Sequence, residues 1–417
     1  MRSDFQRDYD RMIFSSPFRR MQNKTQVFPL PGSIFVHNRL THSLEVSSVG
    51  RSIAREVIHR MVNNGLKDEN LKYLNHIPDI VATACLCHDL GNPPFGHSGE
   101  KTISTWFSEG PGRKLEEELT PQQWNDLINF EGNANSFRLL THRFVGRREG
   151  GFAMTYSTLA TLVKYPWTSM HAGKKGKFGF FETEEEHYRK VADWLDIPEI
   201  SDGVFARHPL VFLMEAADDI CYQIMDIEDS HRLGILPTEE ASDYLLNFFD
   251  SSRQDKLRRG MGYLDDPNEQ IGYLRSSVIG TLVEHSADAF VENLEKIMKG
   301  ETQQCLVSML PSKLADAYNA CAEMAYKKIY CAPYVVDVDL AGHKIISNLM
   351  DTLMDAVLNP EKNYSGLLLS KMPRQYDFNA PSLYGRIQAV LDHVSGMTDI
   401  YALDLYRKLN GHSLPAV

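Results

Sequence analysis

Apolar residues recur at helical spacing along most of the chain. From Asn38 to about Asn63 they fall at Leu40, Leu44, Val49, Ile53 and Val57, and Gly65 follows as a stop. His42 is in phase with Val49 and Ile53, so it projects from the buried face of this predicted helix, with Arg39 near its start. A second helix is predicted after Pro78, where Ile77, Val81, Ala84, Cys85 and His88 share a face. His88 ends that stripe and Asp89 follows it. Gly91, Pro93 and Pro94 stop the helix, and a third begins near Ser98 and runs through Ile103, Trp106 and Phe107. Further helical patterns cover 130–140, 155–165, 208–230, Tyr273–Met298, Leu314–Ile329, His343–Leu358 and Leu383–Leu409. Val335–Leu340 alternates and is predicted as one short strand. Pro29 and Pro31 exclude a helix, and Pro166–Phe181 is predicted as a loop rich in Gly and Lys. The expected fold class is all-α.

Length changes this picture in one respect. A chain of 417 residues exceeds the usual single core, so a helical core with an appended lobe, or two domains, is expected. The net charge of -11 argues against a general nucleic-acid coat, although a local basic patch can still face phosphates. The six cysteines sit mostly in apolar helical patterns and form no Cys-x-x-Cys pair, which fits a reducing cytoplasm. Cys85 and Cys87 read as core packing. Met1–Asp10 is charged and has no apolar run, so no secretory signal is expected. No apolar run reaches the ~18 residues a membrane span needs.

The candidate chemistry lies in the polar residues that interrupt apolar faces. His42, His88, Asp89 and an aspartate of the 218–219 pair come from three predicted helices. Two imidazoles and two carboxylates suit a divalent ion such as Mn²⁺, Fe²⁺, Co²⁺ or Zn²⁺, and suit Mg²⁺ less well. Such an ion lowers the pKa of a bound water and neutralises phosphate charge. Helical phase favours Asp218, which shares a face with Val211, Met214, Tyr222 and Met225, over Asp219, turned about 100° away. His97 and Glu100 are three residues apart, so the carboxylate can fix the imidazole tautomer and raise its basicity. Acid, base and nucleophile all remain open for His97. Arg39, Lys164 and the Lys174–Lys177 loop supply cations for a polyphosphate.

The order His42, His88–Asp89, Asp218 resembles the H…HD…D pattern of HD-domain phosphohydrolases. More narrowly, the chain resembles the bacterial deoxyguanosinetriphosphate triphosphohydrolases and dGTPase-like proteins. The matching runs include 18–27, 38–46, 87–100, Phe130–Asn133, Lys164–Pro166, Lys177–Phe181, Met214–Tyr222 and Gly396–Asp399, and they span nearly the whole chain. The resemblance implies an HD-domain helical core at 1–235, including an N-terminal substrate-binding segment. A C-terminal helical region at 236–417 would complete the pocket and supply oligomer contacts. It also implies hydrolysis of a deoxynucleoside triphosphate, dGTP by preference, to the deoxynucleoside and inorganic triphosphate in a homo-oligomer, usually a hexamer. By motif position, His42, His88, Asp89 and Asp218 resemble the metal ligands, and His97 and Glu100 the catalytic dyad. Arg39 resembles an α-phosphate contact. Gln26 and Val27 resemble the residues that read the sugar 3′-hydroxyl and exclude a 2′-hydroxyl. Asn133, Lys164, Tyr165, Tyr222 and Asp226 resemble phosphate and sugar contacts. The chain departs from the family in a Gly-rich insertion, 146–151, and in Asp392–His393, where relatives often carry Asp-Tyr.

Two other functions use fewer of these features. An HD-domain nucleotidase or other phosphohydrolase acting on a different nucleotide needs the metal cluster alone. A nucleotide-sensing or single-stranded DNA-binding protein, or one with an allosteric nucleotide, needs only the fold; the presence of both His97 and Glu100 counts against it.

Overall fold

The computed structural model describes residues 2–28, 36–66 and 68–413. The loop expected at Pro29 and Pro31 lies outside them. Among the described residues the fold is all-α, with one small exception. Glu199–Ser201 and Val204–Phe205 form an antiparallel two-stranded ribbon, turning at Asp202–Gly203 with Gly203 at φ 71°. No helix among the described residues is long and apolar enough to cross a membrane. The chain forms two compact units, each built from three separate segments.

The first unit comprises Met1–Met12, Val27–Leu86 and Arg207–Val336. Its centre is three long helices packed pairwise: Arg39–Asn63, Val211–Arg232 and Pro267–Glu292. Asn38 caps the first helix. Its side chain accepts the Thr41 N–H at 3.0 Å, while its own N–H donates to the Thr41 hydroxyl at 3.1 Å. The buried face of this helix is Arg39, His42, Val46, Val49, Ile53 and Val57. The expected stripe therefore needs correction at its start. Leu44 is exposed and Leu40 half-buried, because the 3.6-residue period runs back from Val49 to Val46 and His42 instead. Gly50 faces Cys85; a Cβ there would lie 2.6 Å from Sγ, so the glycine permits the close helix approach.

The Val211–Arg232 helix departs from the one-faced reading. It is buried nearly all round, as expected of a helix surrounded by others. Before its last turn, only Asp218, Asp219 and Tyr222 are half-buried.

The second unit comprises Ile13–Gln26, Cys87–Ala206 and Asp337–Val417. In it Gly96–Ser108 packs on Pro121–Ile128, and Gly132–Thr141 packs on Glu182–Trp194. Arg138 is buried and bonded to Asp392 at 2.8 Å and Glu184 at 2.6 Å. The helix expected over Leu383–Leu409 is two helices, Leu383–Ser395 and Asp399–Leu409. Gly396 ends the first. The Thr398 side chain caps the second by accepting the Tyr401 N–H. Val335–Leu340 is not a strand but part of the Pro333–Leu358 helix. Proline at the first position suits a helix start, and a six-residue alternation is too short to fix a period of two.

Candidate active site

In the first unit, His42 is buried, and its Nε2 lies 3.3 Å from Oδ1 of half-buried Asp218. Asp218 and Asp219 are both half-buried, so burial does not separate them. Contact with His42 marks Asp218, whereas the Asp219 backbone carbonyl accepts the Tyr318 hydroxyl at 2.9 Å. One turn beyond Asp218, the Tyr222 ring stacks on Tyr330 with centroids 6.2 Å apart. Tyr330 donates to the Asp226 carboxylate at 2.7 Å. Burial pushes Asp226 up to about 7 despite that hydrogen bond. The Tyr222 phenol is also raised by burial, with the buried Arg39 charge acting in the opposite sense. Val27 is half-buried.

In the second unit, the turn after His88 is fitted against the Gly132–Thr141 helix. The Ser136 hydroxyl donates to the His88 carbonyl at 3.0 Å and accepts the Gly91 N–H at 2.9 Å. A Cβ on Gly91 would come within 2.2 Å of the Gly132 carbonyl, so only glycine fits there. Asn92 donates from Nδ2 to Asp89 Oδ1, and its carbonyl accepts the buried Lys24 ammonium at 2.6 Å. His88 Nε2 lies 3.7 Å from Asp89 Oδ1.

The turn then delivers His97. Phe95, at φ 62°, and Gly96, at φ 58°, occupy left-handed conformations at the start of the Gly96–Ser108 helix. The Phe95 N–H is held by Asp399 Oδ1 at 3.0 Å. The His97 side chain is 75% exposed and that of Glu100 only 9%, so the ring meets solvent while its partner is anchored inside. His97 Nδ1 and Glu100 Oε2 are 2.8 Å apart, and Glu100 Oε1 accepts the Gly132 N–H at 2.7 Å. Burial opposes the charged carboxylate, but the His97 hydrogen bond and charge outweigh it and hold Glu100 below the ordinary range.

A second carboxylate stands behind this dyad. Glu131 accepts from Lys177 Nζ at 2.9 Å and from Asn133 Nδ2 at 2.7 Å. Burial and the nearby Glu100 charge raise Glu131, while Lys177 acts against them. Lys177 itself is raised, because its two carboxylate neighbours outweigh its burial. Lys177 is thus a bound cation, whereas Lys174 and Lys175 are exposed. Tyr165 contributes to the same field at Lys177, and the Lys164 ammonium lies 5.9 Å from its ring. Gln26 is half-buried; its Oε1 is buried and makes no hydrogen bond among the described residues.

Sequence reasoning missed four contributors: His37, Glu131, Tyr330 and Asp399. His37 Nδ1 is 2.8 Å from Asp229 and its Nε2 is 3.0 Å from Glu45, which ties the start of the Arg39–Asn63 helix to the Val211–Arg232 helix. Burial disfavours its charge, but the two carboxylates raise it to about 10. Asp399 accepts from the Thr25 backbone N–H and hydroxyl as well as from Phe95. Glu131 and Asp399 fall within runs already singled out, so their charge was the available signal. Tyr330 and His37 had no pattern around them.

An HD-domain family model matches residues 39–128, and a phosphohydrolase-associated domain matches residues 309–408. A deoxyguanosinetriphosphate triphosphohydrolase-like protein of Pseudomonas aeruginosa is 37% identical, over 100% of this chain and 95% of its own length. A protein of the same description from Synechocystis sp. is 38% identical, over 99% and 95%. A deoxyguanosinetriphosphate triphosphohydrolase of Yersinia enterocolitica is 31% identical, over 97% and 93%. With similarity running end to end over chains of matching length, the protein belongs to the HD-domain family of deoxyguanosinetriphosphate triphosphohydrolase-like enzymes.

Proposed function

We propose that the protein hydrolyses a deoxynucleoside triphosphate, dGTP by preference, to the deoxynucleoside and inorganic triphosphate. The observation that carries this reading is the His97–Glu100 dyad, an exposed imidazole on a buried carboxylate, in a chain that matches triphosphohydrolases throughout. Glu100 accepts from Nδ1–H and so fixes the tautomer, leaving Nε2 to move the proton. His97 protonates the departing 5′-oxygen as its bond to the α-phosphorus breaks and water adds.

His42, His88, Asp89 and Asp218 are the proposed ligands of a divalent ion. The donor set suits Mn²⁺, Fe²⁺, Co²⁺ or Zn²⁺, and the close approach of the His42 ring to the Asp218 carboxylate fits a shared cation. Such an ion supplies charge neutralisation at the α-phosphate and an acidified water. Arg39, Asn133, Lys164 and Tyr165 bind phosphate and sugar in this reading. Gln26, Val27, Tyr222 and Asp226 read the deoxyribose, and Tyr330 orients the last two. The 236–417 region supplies contacts of a homo-oligomer, by family resemblance a hexamer, working in the cytoplasm.

The test is product identification by phosphorus NMR. Each deoxynucleoside triphosphate is incubated with Mn²⁺, and again with excess chelator. Inorganic triphosphate from dGTP, abolished by the chelator, is expected. Pyrophosphate or orthophosphate as the primary product overturns the assignment.

A further inference from the structure

Gly342 lies inside the Pro333–Leu358 helix, where glycine is destabilising relative to alanine and no positive φ calls for it. Its surroundings do. A Cβ built on it would lie 2.7 Å from Cγ and 2.8 Å from Cβ of Phe95. These atoms are the root of the Phe95 side chain, so turning the ring does not relieve the contact. Gly272, Gly280 and Gly366, also inside helices, meet nothing within 4 Å. The bare backbone at Gly342 is therefore a notch that receives one aromatic side chain. Phe95 is half-buried and stands at φ 62° and ψ 20°, a left-handed conformation that a bulky L residue keeps only where its surroundings impose it. Asp399 holds its N–H, and the Gly342 notch takes its ring. His97 follows two residues later.

The same stretch of helix pins the body of the Gly96–Ser108 helix, within the second unit. The Ser98 hydroxyl donates to the Asp339 carbonyl at 3.1 Å, the Thr102 hydroxyl lies 3.1 Å from His343 Nδ1, and the Trp106 indole N–H donates to Asp351 at 2.7 Å. Ser98, Thr102 and Trp106 stand one turn apart, so the helix is tied along its length. Burial raises the Asp339 carboxyl, while the Ser98 hydroxyl and the His97 and Lys101 charges act against it, which puts this turn beside the His97 ring. We propose that Gly342 is a positioning residue for His97, acting through Phe95. With the helix body tied, a side chain at Gly342 displaces the turn from Phe95 to His97, by about 1 Å if ordinary contact distance is restored. A displacement of that size at a proton-moving group costs roughly 100-fold in rate. The inference rests on the proposed reaction, in which His97 protonates the leaving oxygen.

The full-length wild type is compared with Gly342→Ala, and with Gly342→Ala combined with either Phe95→Gly or Phe95→Ala. Release of triphosphate from dGTP with Mn²⁺ is measured, and the crystal structures are compared. Gly342→Ala is expected to lower kcat about 100-fold while KM changes less than about threefold. Adding Phe95→Gly removes the side chain that collides and suits the left-handed turn, and is expected to recover kcat at least about tenfold. Adding Phe95→Ala keeps the Cβ that lies 2.8 Å from the new methyl group, and is expected to recover none of it. In the crystal, the His97 backbone is expected to move by about 1 Å in Gly342→Ala and to return when Phe95→Gly is added. The proposal is overturned by wild-type kcat in Gly342→Ala, by a raised KM at unchanged kcat, by equal recovery with Phe95→Ala, or by a His97 backbone that stays in place. Should Gly342→Ala not fold, only the double variant with Phe95→Gly is expected to fold and turn over, and equal behaviour of the two double variants overturns the proposal. A wild type that releases no triphosphate sinks the proposed reaction instead, and the His97 displacement then decides the positioning role by itself.

Discussion

Lys177 illustrates how a residue's role depends on what it already touches. Read alone, it is one of several loop cations that could grip a phosphate. In the structure it is committed to Glu131 and sits in the field of Glu100, so its charge serves the dyad. Removing that charge leaves two neighbouring carboxylates facing each other, and both then hold protons more tightly. Lys177→Met is therefore expected to lower kcat about tenfold with little change in KM, and to move the acidic limb of the pH–rate profile to higher pH, while Lys177→Arg keeps most activity. A rise in KM with an unmoved profile would instead make Lys177 a phosphate contact. His97 and Glu100 were legible because their partnership is local, three residues on one helix. His42 was legible because a histidine on an apolar face stands out. Glu131 is more deeply buried than Glu100, but its cationic partner is 46 residues away and nothing local announces that pairing. The choice between Asp218 and Asp219 was legible only through an assumption of one-sided burial, which the helix does not obey.

The elements themselves were legible wherever caps and period agreed, as at Asn38 and Gly65. They were misread where one signal stood alone: an alternating six-residue run taken for a strand, and a continuous period carried across Gly396. The Asp202–Gly203 turn was a hairpin signal that went unused. What orients the elements is less visible. His37 precedes the Arg39–Asn63 helix and grips Asp229, 192 residues on. Its pKa of about 10 in the folded chain exceeds the ordinary 6.5, so folding favours the protonated ring. That stabilisation is whole below about pH 6.5 and is lost as pH rises through 10, with a size of a few kcal/mol. Asp226 and Asp126, both raised to about 7, behave differently. Their cost grows between their unfolded values and 7 and is constant above, so it does not contribute between pH 8 and 10. In that window the urea midpoint of the wild type is expected to fall with pH. His37→Gln is expected to start lower at pH 8 and to fall less steeply, its remaining slope coming from buried thiols such as Cys221 and Cys321, which ionise in this window only in the unfolded chain. A parallel fall in both proteins would remove His37 as the cause.

At the scale of the whole molecule, helical class and family were readable from ordered motifs, whereas the weaving of segments was not. Each compact unit takes three stretches of chain, and periodicity carries no information about which distant stretches join. The second unit is drawn together by a few polar residues. Lys24 donates to the carbonyls of Asn92 and Ser395, and Asp399 gathers Thr25 and Phe95. Through Asp399, the residue before Gln26 and the residue before the His97 helix share one carboxylate. Asp399→Ala leaves three donors without their acceptor and releases both segments. A loss of 100-fold or more in kcat/KM is expected, with triphosphate still the product and a fall of several degrees in melting temperature. Asp399→Asn, which keeps acceptor capacity, is expected to recover part of both. Full activity in the alanine variant would show that neither segment depends on the clasp.

The Phe95–Asp399 bond spans 304 residues. By the time Phe95 has been added, His42, His88 and Asp89 have been made, whereas the carboxylate that secures the turn beneath His97 follows 304 residues later. Synthesis therefore orders assembly. A growing chain that stops short of Asp399 carries the histidines without the clasp, and it is expected to hydrolyse nucleotide no better than Asp399→Ala.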